Sequence, residues 1–86
     1  MTGRELRDSL PPRQMAVLLW IYDYLEKQSY APTLREIGAA LGIRSTNGVH
    51  DHLRALEHKG FLTRVPTRSR TIVLTADGYE ACEATP

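Results

Sequence analysis

Asn47, His50, Asp51 and Arg54 recur along one stretch of the chain, with Val49, Leu53 and Leu56 set between them. At about 100° per helical residue, the polar four and His58 fall within roughly 100° of arc. The apolar three and His52 take the opposite arc. A carboxamide, an imidazole, a carboxylate and a guanidinium on one face make a row of groups suited to the edges of DNA bases. Asn pairs bidentately with adenine, and Asp accepts from the amino group of cytosine. Other chemistry is poorly served. His50 and His52 point to different faces, and no Cys or carboxylate joins them and His58 in a zinc set. Neither Ser45 nor Cys82 has the base and orienting group that a nucleophile needs. The expectation is a binding protein rather than an enzyme, with no metal, no cofactor and no small-molecule ligand.

Such a face must be held by the elements around it. Pro11 and Pro12 suit a helix start, where a missing amide costs nothing. Val17, Trp20, Ile21, Tyr24 and Leu25 then recur at helical spacing as a core stripe. This first predicted helix ends near Gln28, ahead of Pro32. Thr33 and Glu36 form a capping-box pattern that opens a second helix, with Leu34, Ile37 and Leu41 inward and Gly42 as a left-handed cap. Small Gly38, Ala39 and Ala40 allow close helix approach, and Ile43 anchors the turn. Ser45 or Thr46 caps a third helix over about 46–59, ended by Lys59 and Gly60. Phe61–Val65 and Thr71–Thr75 are β-favouring runs around a five-residue turn. The predicted fold is mostly α with a small β-hairpin: a winged helix-turn-helix of three helices and a two-stranded wing. Residues 1–9 read as a flexible arm, 10–75 as the domain, and 76–86 as a frayed tail.

The 86 residues suffice for one small domain, and no apolar run approaches the ~20 residues of a membrane span. Arg4 to Arg7 is not followed by the apolar core of a signal peptide. A lone Cys82 excludes an intramolecular disulfide and fits a reducing cytoplasm. The net charge of +1 hides an uneven distribution. Residues 1–43 balance, residues 44–70 carry +4, and residues 71–86 carry −3. A basic segment that begins at the polar helix face is the footprint expected for phosphate contact.

These residues resemble the DNA-binding domain of the LexA family of bacterial SOS-response repressors, from about Leu10 to Thr75. The resemblance rests on Arg13-Gln14, Ala31-Pro32-Thr33, Arg35-Glu36-Ile37, Leu41-Gly42 and Arg44-Ser45. It continues through Asn47, Val49-His50, His52-Leu53, Ala55-Leu56, Lys59-Gly60 and the arginine-bearing wing. It implies a sequence-specific repressor of double-stranded DNA in the bacterial cytoplasm, associated with the nucleoid. Ser45, Asn47, Gly48, His50 and Asp51 would read bases, Gly48 by close approach beside a thymine methyl. Thr33, Arg35, Arg44, His52, Arg54, Arg64, Arg68 and Arg70 would contact the backbone, which adds affinity rather than sequence information. Some members carry acidic residues where this chain has His50 and Asp51, and Val49-His50 is closer to the Gram-positive branch, so the operator does not carry over. LexA proteins continue into a dimerising, self-cleaving domain with a Ser-Lys pair, for which this chain has no room and no Ala-Gly dipeptide. A chain of this native length would neither cleave itself nor dimerise by that route. In an excised domain those functions would simply have been removed.

Met15, Leu19 and Tyr22 lie nearly opposite the core stripe of the first predicted helix, at positions commonly polar in the family. A small domain cannot cover both sides, so they could form a surface for a second copy or a partner protein. The competing expectation is that the wing, or the tail through Tyr79, covers them. On the first reading the chain could be a winged-helix adaptor or antagonist of a full-length repressor.

Overall fold

The computed structural model describes residues 2–84. Its elements are α1 (Gly3–Asp8), α2 (Pro12–Lys27), α3 (Leu34–Leu41), α4 (Thr46–His58), β1 (Leu62–Thr63), β2 (Val73–Leu74) and α5 (Ala76–Glu83). α2, α3 and α4 are the three helices foreseen, and the strands pair antiparallel with Leu62 opposite Leu74 and Thr63 opposite Val73. This is a winged helix-turn-helix.

Local chemistry sets each boundary. Thr33 and Glu36 close the capping box in both directions, at 3.1 and 2.8 Å. Gly42 takes the left-handed conformation at φ 69° and ends α3. The turn beyond it is tight because α3 and α4 nearly touch. A Cβ on Gly38 would sit 2.9 Å from the Ile43 carbonyl oxygen and 3.4 Å from a Val49 methyl. Ala39 and Ala40 face solvent, so of the three small residues only Gly38 serves that approach. Val17, Leu18, Ile21, Ile37, Leu53 and Leu56 are fully buried and form the centre of the core. Trp20, Tyr24 and Leu25 stay half-buried at its edge, so the buried face of α2 is rotated toward Met15 and Leu18 from the stripe read in the sequence.

The ladder is shorter than the two five-residue runs suggested. The Val65 amide donates to the Thr71 hydroxyl at 2.9 Å instead of to a facing carbonyl, and that ends the pairing. Arg70 then turns out of line at φ 59°.

The largest departures are at the two ends. The expected loose arm is helical: Thr2 caps α1 at 3.2 Å from the Glu5 amide, and Leu6 and Leu10 are buried. The expected frayed tail is α5, capped by the Thr75 hydroxyl, which accepts from the Gly78 amide at 3.1 Å. The two pack on one another: Arg7 donates to the Ala84 carbonyl at 3.0 Å, and Gly3 lies close against the Glu80 backbone. Neither short helix would persist alone, because nucleation is costly; each is held by tertiary contact with the other. Met1, Thr85 and Pro86, at the outer limits of the foreseen arm and tail, lie outside the described residues.

Of the two expectations for Met15, Leu19 and Tyr22, this packing matches cover by the tail through Tyr79. Met15 is buried, and Leu19 and Tyr22 are half-buried against the core. Tyr79 of α5 packs edge-on against Tyr22 with centroids 6.0 Å apart, and Glu83 accepts from the Tyr22 hydroxyl at 3.1 Å. Cys82 lies in the same seam, with its Sγ 3.8 Å from the Leu18 carbonyl oxygen. Burial pushes its thiol up to about 12, leaving little nucleophilic thiolate at neutral pH.

Candidate nucleic-acid interface

α4 presents the polar face that its sequence promised. Asn47, Asp51, Arg54 and His58 are exposed, while Val49, Leu53 and Leu56 on the other side are buried. Burial of those three fixes the rotation of the helix about its axis and so determines which side chains face outward. Asp51 and Arg54 are only loosely paired, at 3.8 Å with more than two-thirds of each side chain in water, and both are free to take other partners.

The ends of the motif are occupied in part by the fold itself. Ser45 caps α4, its Oγ accepting from the Asn47 amide at 3.1 Å, which leaves its proton and one lone pair for an outside partner. A Cβ on Gly48 would lie 2.9 Å from a methyl of Ile43. The absence of a side chain there is thus required by the turn, which explains it without a thymine contact. Thr33 spends its acceptor oxygen on the cap of α3, and His52 is half-buried. Arg35 and Arg44 are exposed and line one cleft of about 300 Å³ with Thr46, beside the N-terminus of α4. Two cations beside the positive end of the α4 dipole make a favourable place for a phosphate.

The wing departs most from the sequence reading. Three arginines were expected on the backbone, and two of them have partners within the protein, Arg64 buried and Arg70 exposed. The Arg64 side chain is only 4% exposed; its Nε donates to Glu57 at 2.6 Å and its Nη1 approaches His50 Nδ1 at 3.0 Å. Arg70 pairs with Glu36 at 3.1 Å, donates to the Ala31 carbonyl at 3.0 Å and stacks over Tyr30 at 4.7 Å. It fastens the wing to the link between α2 and α3. Arg68 keeps an exposed side chain with no internal partner among the described residues. Glu57, Glu36, Tyr24 and Tyr30 are therefore site residues that sequence reasoning missed. Their pairings join separate elements, and no spacing along the chain announces them.

The Thr33 backbone amide, helped by the Tyr24 and Thr33 hydroxyls and by Arg70, holds the Glu36 carboxyl below the ordinary value near 4.5. A carboxylate favoured in the folded state contributes stability above its unfolded pKa, and that contribution is lost as the pH falls through the lower folded value. Wild type should therefore lose stability relative to Glu36→Gln as the pH falls below that ordinary value, as followed by urea denaturation across pH. Parallel curves for the two proteins would show that Glu36 is not proton-linked to folding.

Comparison with known proteins fits this geometry. Residues 7–71 match the family described as the LexA DNA binding domain. A LexA repressor of Anaeromyxobacter sp. is 56% identical over 73 residues, covering 85% of this chain and 32% of its own length. One from Sorangium cellulosum is 59% identical over 63 residues, covering 73% of this chain and 27% of its own. One from Enterococcus faecalis is 47% identical over 77 residues, covering 90% and 37%. The chain thus spans about a third of the length of the curated relatives it matches. With a capped helix-turn-helix, an exposed polar face on α4 and a family match across most of its residues, this chain belongs to the LexA DNA-binding domain family.

Proposed function

We propose that the protein is a sequence-specific transcription repressor whose α4 enters the major groove of an operator. The observation that carries this reading is the division of α4 into an exposed Asn47–Asp51–Arg54 face and a buried Val49–Leu53–Leu56 face. Asn47 and Asp51 read bases, with Ser45 and His50 beside them. Arg35, Arg44, Arg54 and Arg68 hold phosphates, with Thr33 and His52 nearby, and α3 braces α4 against the backbone. Arg64 from beneath α4 and Arg70 at the surface position the wing, and Arg70 keeps solvent access to a phosphate. Gly48 lets α4 start close to the turn. A single module makes modest contact, so tight binding requires two copies on a two-fold pair of half-sites. The setting is the bacterial cytoplasm, on the nucleoid, where an operator would be met. The packing of α5 against Tyr22 favours this reading over an adaptor that acts through that face of α2.

Asn47→Ala should weaken binding to the selected operator by roughly 1–3 kcal/mol and leave random duplex almost unchanged. Arg68→Ala should weaken both alike and reduce the slope of affinity against salt. Fluorescence anisotropy at several salt concentrations measures both. Equal losses on operator and random DNA for Asn47→Ala would refute base reading by α4.

A further inference from the structure

His50 is the one residue of the proposed reading face whose ring is held by a charged group from beneath. Arg64 Nη1 lies 3.0 Å from His50 Nδ1, and Arg64 is itself buried and anchored to Glu57 at 2.6 Å. A guanidinium is always charged and carries only donors. Its neighbour at hydrogen-bond distance must therefore accept, so Nδ1 presents its lone pair and the ring proton resides on Nε2. Among the described residues Nε2 makes no internal hydrogen bond, and no buried side-chain nitrogen lacks a partner. Nε2–H is thus open to solvent.

From this we propose that Arg64 and Glu57 are specificity-determining positioning residues: they fix His50 as a hydrogen-bond donor, so that it selects a base presenting an acceptor in the major groove. Guanine offers N7 and O6, adenine offers N7 and thymine offers O4, whereas the amino group of cytosine offers only a donor. A histidine without Arg64 can present either tautomer and accept from cytosine or adenine as readily as it donates to guanine or thymine. The side chain that narrows the choice touches no DNA. It comes from the residue that follows β1 and reaches α4 from its buried side. The inference rests on base reading by α4 and adds to it the chemical class of the base opposite His50.

The test begins with selection of bound duplexes from a random pool by wild type, His50→Ala and the paired variant Glu57→Gln, Arg64→Met. The paired variant removes both charges together, and its thermal unfolding is measured to show that it folds. One half-site position should lose its preference in His50→Ala. In wild type that position should carry guanine, adenine or thymine, with cytosine bound roughly five- to tenfold more weakly, as for a single base contact. Where the position is guanine, 7-deazaguanine should separate contact at N7 from contact at O6. In the paired variant the preference there should fall to within about twofold while the preference set by Asn47 is kept. A merely structural role would lower affinity evenly and leave both preferences intact, which overturns the proposal. So does a cytosine at the His50-dependent position in wild type, or a paired variant as selective there as wild type. A wild-type pool with no preferred sequence overturns base reading itself, and this inference with it.

Discussion

Glu57→Ala should cost about 3 kcal/mol of folding free energy, more than most substitutions at a half-exposed position of so small a domain. Removing one partner of a buried ion pair is strongly destabilising, because the remaining charge is left without compensation. Arg64 keeps 4% of its side chain in water, so it cannot recover its hydration without leaving its place beneath α4. Glu57 keeps 30%, which puts the estimate at the lower end of the usual ~3–5 kcal/mol range. The second half of the result is what identifies the cause. Arg64→Met alone should cost less, since it frees a half-solvated carboxylate rather than a buried guanidinium. The double variant should recover much of the Glu57→Ala loss, because an apolar side chain of similar reach fills the space with no charge to bury. Urea denaturation of the four proteins closes the cycle, and the coupling should exceed about 1 kcal/mol. If Glu57→Ala costs under about 0.5 kcal/mol, or the two single effects add, the pair is an ordinary surface contact.

The same pair shows where sequence reading stops. Helix periodicity placed Val49, Leu53 and Leu56 inward and Asn47, Asp51 and Arg54 outward, because a helix imposes one relation between spacing and direction. The capping box at Thr33 and the left-handed Gly42 were legible for a similar reason: each is a local motif complete within a few residues. Arg64, Arg68 and Arg70 look alike in sequence, yet only Arg68 remains exposed and unpaired. What distinguishes them is which element lies opposite, and a tertiary contact has no signature in spacing. The basic stretch around the wing is accordingly less available to phosphate than its formal charge implies, since Glu57 and Glu36 neutralise two of its members. The terminal helices were missed on the same grounds. α1 and α5 have six and eight residues, too few to announce themselves through propensity, and each is stabilised by the other across nearly the whole length of the chain.

Gly78→Ala should destabilise the protein by roughly 2–3 kcal/mol, against the direction that helix propensity alone would give. Ala is favoured over Gly inside a helix by about 1 kcal/mol, and Gly78 is the third residue of α5. The surroundings reverse the sign. A Cβ on Gly78 would lie 2.1 Å from the carbonyl oxygen of Phe61 and 3.4 Å from the Leu74 side chain. The nearer atom is backbone, and that carbonyl already accepts from the Thr75 amide at 3.1 Å, so it cannot turn aside without losing the contact that ties the start of α5 to the wing. The strain is relieved only by moving α5 away from β1 and β2. Such movement opens the seam against α2, and Cys82 reports it. In wild type the thiol, raised by burial to about 12, should react slowly with a disulfide reagent at neutral pH. In Gly78→Ala it should react many times faster, whereas Asp77→Ala, on the exposed side of the same turn, should change neither stability nor thiol reactivity. A stabilised Gly78→Ala with an unreactive Cys82 would mean that α5 does not need its close approach to Phe61. Wild-type thiol reactivity equal to that of a free peptide would mean that the seam over Met15, Leu19 and Tyr22 opens readily in solution, and the face assigned here to α5 would again be available to a partner.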